Sequence, residues 1–416
     1  MIARLADDSV PRTLAATVQQ ISTDAVALRA EERIRTAEQR LERDPPLVWV
    51  LTDEKLGHTT QSVGLAEALG WPYTTKELRF NALNRLSNRL LGAGLLTLNR
   101  RHSTPLSPPW PDLVIATGRK TAPVARWIRA QSQGRTRLVQ LGRKAADRAD
   151  DFDLSVTCSH FAMPPHPRRI ETRAPLTAIT NRKLQAARER WSHLFGSEPR
   201  PHVALIVGGT SALHRLDAET AAQMGRKVAS FARAAGGSLF TVTSPRTGAA
   251  AAAALRAGIE GVGRLYEWRP GATDNPYLGC LAVADALVVT GDSESMLAEA
   301  AATSKPLYIY PLPDCRNGLR QRLRGWVSGH ARQHQGSSTG RSRRQLQSLC
   351  ARLIELGLVR APRDIGAMHR CLIEAGHARP FGAPPNTEPR TPLRELDQVA
   401  DRVRALLGYS PLKRVE

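Results

Sequence analysis

Asp53 and His58 are the residues of this chain whose types and spacing most directly suggest acid–base chemistry. A carboxylate and an imidazole five residues apart in one short loop can accept a proton or orient a hydroxyl group. The loop follows the apolar run LVWVL (47–51) and precedes apolar positions at helical spacing, so it is predicted to join a buried strand to a helix. Loops at the carboxyl ends of parallel strands bind ligands in α/β proteins, although an ordinary turn explains this pattern equally well.

Three stretches in the second half of the chain carry small, hydroxyl and charged residues directly after apolar runs: VGGTSALHR (207–215), TSPRT (243–247) and TGDSESMLAEAAATSKP (290–306). Glycine lets backbone N–H groups approach a phosphate, and a helix that begins near Asp292 or Ser293 would direct its N-terminus at the same anion. Each stretch alone is typical of a turn or a solvated helix. Together they predict a nucleotide-binding cleft, without the spacing of a P-loop or of GxGxxG.

Composition limits the classes of function. The chain has 416 residues, 42% of them hydrophobic, a formal net charge of +21 and a pI near 10.8. These values predict a two-domain globular protein with a polyanionic partner, such as nucleic acid, anionic lipid or a nucleotide phosphate. Five cysteines without CxxC spacing indicate neither a disulfide framework nor a zinc site. The N-terminus lacks the apolar region of a signal peptide, and no apolar run is long enough to span a membrane, so we expect a cytoplasmic protein.

Strand-like apolar runs alternate with helical patterns twice along the chain, which predicts an α/β fold with two Rossmann-like, doubly wound domains facing a cleft. The eight predicted strands lie in LVWVL (47–51), DLVIAT (112–117), RLVQL (137–141), DLSVT (153–157), HVALIVGG (202–209), SLFTVTS (238–244), DALVVTGDS (285–293) and PLYIYPL (306–312). The predicted organisation is an N-terminal extension, helical or loose, over 1–45, a first domain over 46–198, a second domain over 199–380, and a tail with a terminal helix over 381–416.

Two basic regions stand apart from this pattern. Residues 79–148 hold fourteen Lys and Arg against two acids, and leucines within 83–101 share a helical face with arginines. This predicts a basic helix on a membrane surface, or a helix on the sheet with a solvated edge. The predicted membrane or anion face comprises Arg85, Arg89, Arg100 and Arg101. An insert over 315–354 holds nine arginines and no acid, which indicates either a loop that contacts phosphates or lipid headgroups or a solvated loop. Its only aromatic residue is Trp326, which argues against nucleic acid as a partner.

The chain resembles the mitochondrial-fission (elongated-mitochondria) family first described in plants, whose bacterial members are classed with glycosyltransferases. The resemblance covers roughly residues 46–380. Besides the motifs quoted above, it rests on LTDEKLGHTTQSVGLAEALG (51–70), TGRKTAPVARWI (117–128), DNPYLGCLAVADALVVTGDSESMLAEA (274–300) and KPLYIYPLP (305–313). It implies a GT-B architecture in which the first domain receives the acceptor and the second binds a nucleotide-sugar.

The resemblance also implies roles for particular residues. The SESMLAE helix is similar to the donor-binding helix of the lipid-linked GlcNAc transferase of cell-wall synthesis, in which the equivalent of Glu299 contacts the ribose. The predicted donor site comprises Gly208, Gly209, Thr210, Ser211, Ser244, Arg246, Thr247, Asn275, Tyr277, Asp292, Ser293, Ser295, Met296 and Glu299.

The function that follows is a metal-independent glycosyltransferase that needs no cofactor beyond its donor, a nucleotide-diphosphate sugar, and acts on a membrane-associated acceptor. Asp53 or His58 is the expected base or acceptor orienter. The alternative is a non-catalytic, peripheral membrane adaptor that keeps the fold and recruits a protein partner.

Overall fold

The computed structural model describes residues 44–86, 88–142, 149–161, 163, 166–315, 326, 348–350, 352, 364–384, 386 and 388–412. The chain divides into two compact units, Met1–Pro46 and Leu47–Glu416, and the second contains all the elements below. The predicted N-terminal extension (1–45) and the arginine-rich insert (315–354) lie largely outside the described residues, as does the side chain of Arg89.

The first lobe is built on a sheet of six parallel strands. They are β1 (Val48–Thr52), β2 (Tyr73–Glu77), β3 (Leu113–Thr117), β4 (Arg137–Leu141), β5 (Leu154–Cys158) and β6 (Arg169–Thr172). Their spatial order is β2-β1-β3-β4-β5-β6. The helices of this part are α1 (Leu56–Leu69), α2 (Asn88–Leu91) and α3 (Gly118–Gln131), and α4 (Asn181–Arg190) leads to the second sheet.

The second lobe repeats this plan. Its strands are β7 (His202–Ile206), β8 (Ser238–Val242), β9 (Gly263–Tyr266), β10 (Ala286–Thr290), β11 (Leu307–Tyr310) and β12 (Arg379–Pro380), in the parallel order β12-β11-β10-β7-β8-β9. Its helices are α5 (Ala218–Ala234), α6 (Ala249–Gly258), α7 (Tyr277–Val283), α8 (Glu294–Ala301) and α9 (Ile365–Glu374). The predicted α/β class with two doubly wound parallel sheets is confirmed.

Both faces of each sheet are covered, which explains the continuous apolar runs in the sequence. In β1, Val48 and Val50 pack in a cluster with residues of α1, whereas Trp49 and Leu51 pack in a second cluster with residues of α3. A final helix, α10 (Glu395–Leu406), follows the second sheet in sequence but packs on the first, where Val399 and Val403 are fully buried.

The single amphipathic helix expected within residues 83–101 is wrong. The segment forms a 3-10 turn at Ala82–Arg85, the four-residue helix α2 and another 3-10 turn at Arg100–His102. Gly92, with φ +56°, lies directly after α2 in a left-handed conformation that ends it. The leucines expected to share one helical face are instead exposed on separate turns: Leu83 (43%), Leu86 (41%) and Leu90 (77%). Leu96 (65%), in the same segment, is exposed as well. Within the described part of the chain, no helix is long and apolar enough to cross a membrane.

Candidate functional site

The loop after β1 brings Asp53 and His58 into direct contact. His58 Nδ1 lies 3.1 and 3.0 Å from the two carboxylate oxygens of Asp53, whose side chain is 1% exposed, while the imidazole is 21% exposed. Burial by itself raises the pKa of Asp53, but the hydrogen bond and charge of His58, together with the Lys55 amide, outweigh it and leave the pKa below its usual 3.8. Because an ionised carboxylate can only accept, Nδ1 carries a proton, and in the neutral form of the ring Nε2 keeps an acceptor lone pair.

Gly118, the first residue of α3, provides the seat for this imidazole. Its φ is +78°, and a Cβ at this position would lie 2.5 Å from His58 Cε1 and 3.2 Å from Nε2. Gln140 on the neighbouring strand holds the glycine in place by donating from Nε2 to the Gly118 carbonyl oxygen. Only a residue without a side chain therefore lets the ring reach Asp53.

In the second lobe, the three predicted loops follow the carboxyl ends of β7, β8 and β10, which are neighbours in the sheet. Asp292 ties them together. Its fully buried carboxylate accepts from the Gly209 amide (3.0 Å) and the Thr290 hydroxyl (2.7 Å), and pairs with Arg246 Nη1 (2.8 Å). Ser244 and Thr247 donate their hydroxyls to the Gly208 carbonyl oxygen, so they link the same loops.

The glycines of this motif serve packing rather than an open anion cradle. The amides of Gly208 and Gly209 donate to Thr290 and Asp292 within the protein, which differs from the expected approach to a phosphate. A Cβ on Gly208 would overlap the Asp292 carboxylate, and one on Gly209 would overlap the backbone of Arg246. What remains available for an anion at this edge is the half-exposed Arg246 side chain and the N-terminus of α8, which has no side-chain cap.

Glu299 lies within α8 and receives a hydrogen bond from the Tyr277 hydroxyl. Burial raises the pKa of Glu299, although this bond partly offsets it. Burial, with the charge and hydrogen bond of Glu299, raises the pKa of Tyr277 well above its usual value. The two predicted donor-site residues therefore contact each other, and Asn275 accepts from the Tyr277 amide at 3.0 Å.

The remaining predicted residues are distributed around these clusters. Thr210 and Ser211 hold the turn after β7, where the Ser211 hydroxyl oxygen accepts from the His214 amide (3.1 Å). Ser293 precedes α8 and is buried, Ser295 is exposed, and Met296 packs against the core. On the first lobe, Arg85, Arg100 and Arg101 are exposed.

The sequence reasoning missed a contact between the lobes. His160, directly after β5, places Nε2 2.8 Å from Oε1 of Glu294, the first residue of α8, and both side chains are buried. The carboxyl edges of the two sheets therefore meet at this pair. A strand-end histidine after DLSVT (153–157) was the available signal, but its partner lies 134 residues away. Among the described residues, no group of three or more His, Cys, Asp and Glu is arranged to hold a metal ion.

The family model for mitochondrial fission ELM1 matches residues 56–339, which is more than half of the chain. The chain belongs to the mitochondrial fission ELM1 family. The resemblance inferred from the sequence motifs is thereby confirmed. The matched region includes His58 and all the predicted donor-site residues, and it begins three residues after Asp53.

The ELM1-family chain is similar to two proteins of known sequence. It is 27% identical over 228 residues to the mitochondrial fission protein ELM1 of Arabidopsis thaliana, covering 50% of this chain and 53% of the plant protein. It is 25% identical over 312 residues to the uncharacterized protein RP120 of Rickettsia prowazekii (strain Madrid E), covering 66% and 86%. The alignment thus spans about half the length of the Arabidopsis relative.

Among solved structures, the ELM1-family chain is similar to the UDP-GlcNAc 2-epimerase of Neisseria meningitidis bound to UDP-GlcNAc, with 11% identity, a TM-score of 0.40, and coverage of 79% of this chain and 98% of that one. It is also similar to MurG of Acinetobacter baumannii, with 12% identity, a TM-score of 0.37, and coverage of 86% and 100%. At these values the likeness extends no further than the α/β fold.

Proposed function

We propose that this ELM1-family protein is a glycosyltransferase that moves a sugar from a nucleotide-diphosphate sugar to a hydroxyl group of a membrane-associated acceptor. The observation that carries the proposal is the hydrogen bond between Asp53 and His58. A buried carboxylate that fixes the tautomer of a partly exposed imidazole is an arrangement suited to general base catalysis.

In the proposed reaction, His58 Nε2 removes the proton of the acceptor hydroxyl as its oxygen attacks the anomeric carbon. The bond between that carbon and the diphosphate oxygen breaks, and the nucleoside diphosphate leaves with the electron pair. Asp53 stabilises the imidazolium that forms, because its charge lies 3.0 Å from Nδ1. The proton then passes from His58 to solvent.

The donor is proposed to bind in the second lobe. The uncapped N-terminus of α8, the hydroxyls of Ser293 and Ser295, and the Arg246 side chain are the groups that would neutralise the departing diphosphate. Glu299 would accept ribose hydroxyls at Oε1, while its Oε2 accepts from the Tyr277 hydroxyl. A reaction without a metal ion or another cofactor remains our prediction.

The acceptor is proposed to lie at the inner face of a membrane, with the protein in the cytoplasm. Exposed leucines on separate turns, near Arg85, Arg100 and Arg101, combine apolar and cationic groups suited to an anionic lipid surface. Replacing Leu90 and Leu96 by serine should therefore reduce co-flotation with phosphatidylglycerol vesicles several-fold. Leu278→Ser, at a 39% exposed leucine of the second lobe, is the matched control, and equal flotation of all three proteins would remove the membrane from the proposal.

The proposal is tested first by a thermal-shift screen against UDP-, GDP-, ADP- and CMP-linked sugars. A ligand that binds only the native state raises its stability by about 2.7 kcal/mol at a concentration one hundred times its Kd. We expect one nucleotide class to raise the melting temperature, and Glu299→Ala to reduce that shift. A screen in which no nucleotide-sugar changes the melting temperature would count against a transferase.

A second candidate is supported by the name of the Arabidopsis relative, a mitochondrial fission protein. In that case the chain would be a non-catalytic, peripheral membrane adaptor whose cleft no longer binds a donor, and its activity would be the recruitment of a protein partner. The adaptor would be favoured if the protein floats with membranes but binds no nucleotide-sugar.

A further inference from the structure

We propose that Lys305 is a site of carbamate formation, at which its neutral side-chain amine adds carbon dioxide and the side chains of Arg188 and Arg200 bind the carbamate. Carbamate formation does not depend on the proposed glycosyl transfer, because the site lies at the other edge of the second sheet from the predicted donor loops.

The site lies where three strands of the second sheet begin. Lys305 lies two residues before β11, Asp285 directly before β10, and Arg200 two residues before β7. The three strands are parallel neighbours in the order β11-β10-β7, so these residues meet at one edge of the sheet. The predicted donor loops follow the carboxyl ends of their strands and therefore lie at the opposite edge.

The stretch 282–285, from the end of α7 to the start of β10, brings the cations of the site together. Lys305 Nζ donates to the Ala284 carbonyl oxygen. Arg188, on α4, donates from Nη2 to the Ala282 carbonyl oxygen at 3.2 Å. Lys305 is partly buried and Arg188 is exposed, so the amine lies near a guanidinium group that keeps further N–H donors for a ligand.

The carboxylate of this stretch is already engaged. Asp285 Oδ1 lies 2.5 Å from Arg200 Nη1, and Oδ2 accepts from the His202 amide at 2.7 Å. With a charged ammonium group at Lys305, the two arginines, the lysine and the aspartate hold three positive charges against one negative charge. With a carbamate there, they hold two of each. The cluster therefore favours either an uncharged amine or an anion in its place.

The surroundings make the Lys305 amine a nucleophile. Burial, and then the charge of Arg188, lower the pKa of the Lys305 side chain to about 8; Arg200 acts in the same direction and Asp285 against it. At pH 7.5, roughly a quarter of amines with this pKa are neutral, against about one in a thousand for an ordinary lysine. A neutral amine can use one N–H for the Ala284 carbonyl oxygen and keep a lone pair that attacks an electrophile.

The reaction is an addition to carbon dioxide. The Nζ lone pair forms a bond to the carbon atom, the electron pair of one C–O π bond moves to an oxygen, and a proton leaves Nζ for solvent. The carbamate nitrogen keeps one N–H, which continues to donate to the Ala284 carbonyl oxygen, and the carbamate oxygens accept charge-assisted hydrogen bonds from Arg188 and Arg200. Carbon dioxide is the single co-reactant, and it is small enough to reach a partly buried amine.

The test is capture of the carbamate on the full chain. The protein is equilibrated with isotopically labelled carbon dioxide and bicarbonate, the carbamate is trapped as its ethyl ester with the triethyloxonium ion, and the peptides are identified by mass spectrometry. Lys305 should carry the labelled ethoxycarbonyl group in far higher yield than two reference lysines. These are Lys55, which is exposed, and Lys183, whose ammonium group lies 2.7 Å from Glu67 Oε2.

Arg188→Gln and Arg190→Gln form the matched pair of variants. Both arginines are exposed residues of α4, but Arg190 donates to the Thr273 carbonyl oxygen, at 2.9 Å, rather than to the stretch 282–285. Arg188→Gln should lower the trapped yield at Lys305 about two- to five-fold, which is the effect of one surface charge pair, and Arg190→Gln should leave it unchanged.

Carbon NMR of the native protein is a second measurement, and it needs no change to the binding arginines. Labelled carbon dioxide should give a carbamate resonance that is separate from those of dissolved carbon dioxide and bicarbonate. Lys305→Arg, which keeps a positive charge and an N–H donor, should abolish it. A carbamate on the α-amino group of the chain, whose usual pKa is also near about 8, should remain.

The proposal is overturned if Lys305 carries no more label than Lys55 and Lys183, or if Lys305→Arg leaves every carbamate resonance in place. Equal yields at Lys305 in Arg188→Gln and Arg190→Gln would overturn the assignment of Arg188 as a carbamate ligand. The nucleotide-sugar screen is read separately, because a failure of either experiment leaves the other result standing.

Discussion

The substitution Gly118→Ala tests whether the contact between His58 and the start of α3 holds the proposed base in place. The matched substitution is Gly134→Ala, because both glycines have left-handed backbones, with φ of +78° and +82°, and flank the same helix. A Cβ on Gly134 would meet nothing within 4 Å, whereas one on Gly118 would lie 2.5 Å from His58 Cε1. The pair therefore separates backbone strain from displacement of the imidazole.

The two variants should differ by the free energy of one charge-assisted hydrogen bond. A non-glycine residue in the left-handed region costs about 1–2 kcal/mol, and both variants incur that cost. In Gly118→Ala the ring must also move, which removes the bond to the 1% exposed Asp53 carboxylate and adds about 1–3 kcal/mol. We expect a decrease in the free energy of unfolding of about 2–5 kcal/mol for Gly118→Ala and about 1–2 kcal/mol for Gly134→Ala.

Urea denaturation measures both values, and the reactivity of His58 toward diethyl pyrocarbonate reports the position of the ring. His58 should become more reactive in Gly118→Ala and stay unchanged in Gly134→Ala. Equal losses of stability together with equal reactivity would refute the reasoning that Gly118 seats the imidazole.

Three further predictions concern other contacts. Glu299→Ala should weaken nucleotide binding by about 1.5–3 kcal/mol in calorimetry, and an unchanged Kd would remove Glu299 from the donor site. Asp53→Asn should lower the free energy of unfolding most above pH 3.8, because folding lowers the pKa of Asp53 from that value. The stability that the ionised carboxylate contributes is lost as the pH falls through the folded pKa, so a difference between the two proteins that stays constant at lower pH contradicts this. Asp292→Ala should cost about 2–5 kcal/mol, against at most about 1 kcal/mol for Asp274→Ala, whose arginine pair is exposed; similar urea midpoints would show that Asp292 does not hold the loops together.

The sequence predicted the interior of each sheet and missed its edges. All eight strands recognised from apolar runs are central or next to the edge, and the four not recognised, β2, β6, β9 and β12, are the edge strands. An interior strand is covered on both faces and reads as a continuous apolar run, whereas β2, with the sequence YTTKE, is mostly exposed. The sequence of an edge strand carries no such signal, because pairing with the adjacent strand, rather than its own composition, makes it a strand.

The candidate site was predictable where it depends on one loop and unpredictable where it depends on two. Asp53 and His58 are five residues apart, so their pairing could be anticipated. The seat of His58 on Gly118 and the contact of His160 with Glu294 join residues far apart in sequence, and only the fold brings them together. Gly208 and Gly209 were predicted to direct their amides at a phosphate, but these amides donate to Thr290 and Asp292 within the protein.

The most direct test of the account is the release of nucleoside diphosphate from the nucleotide-sugar that binds, measured with a total membrane lipid extract as the source of acceptor. Wild-type protein and His58→Gln should bind the donor equally, because the histidine lies in the other lobe. Release by His58→Gln should be about 10²–10⁴-fold slower, the usual contribution of a general base. Release at the wild-type rate by His58→Gln, or no release by the wild type, would contradict the assignment of Asp53 and His58 as the base of a glycosyl transfer.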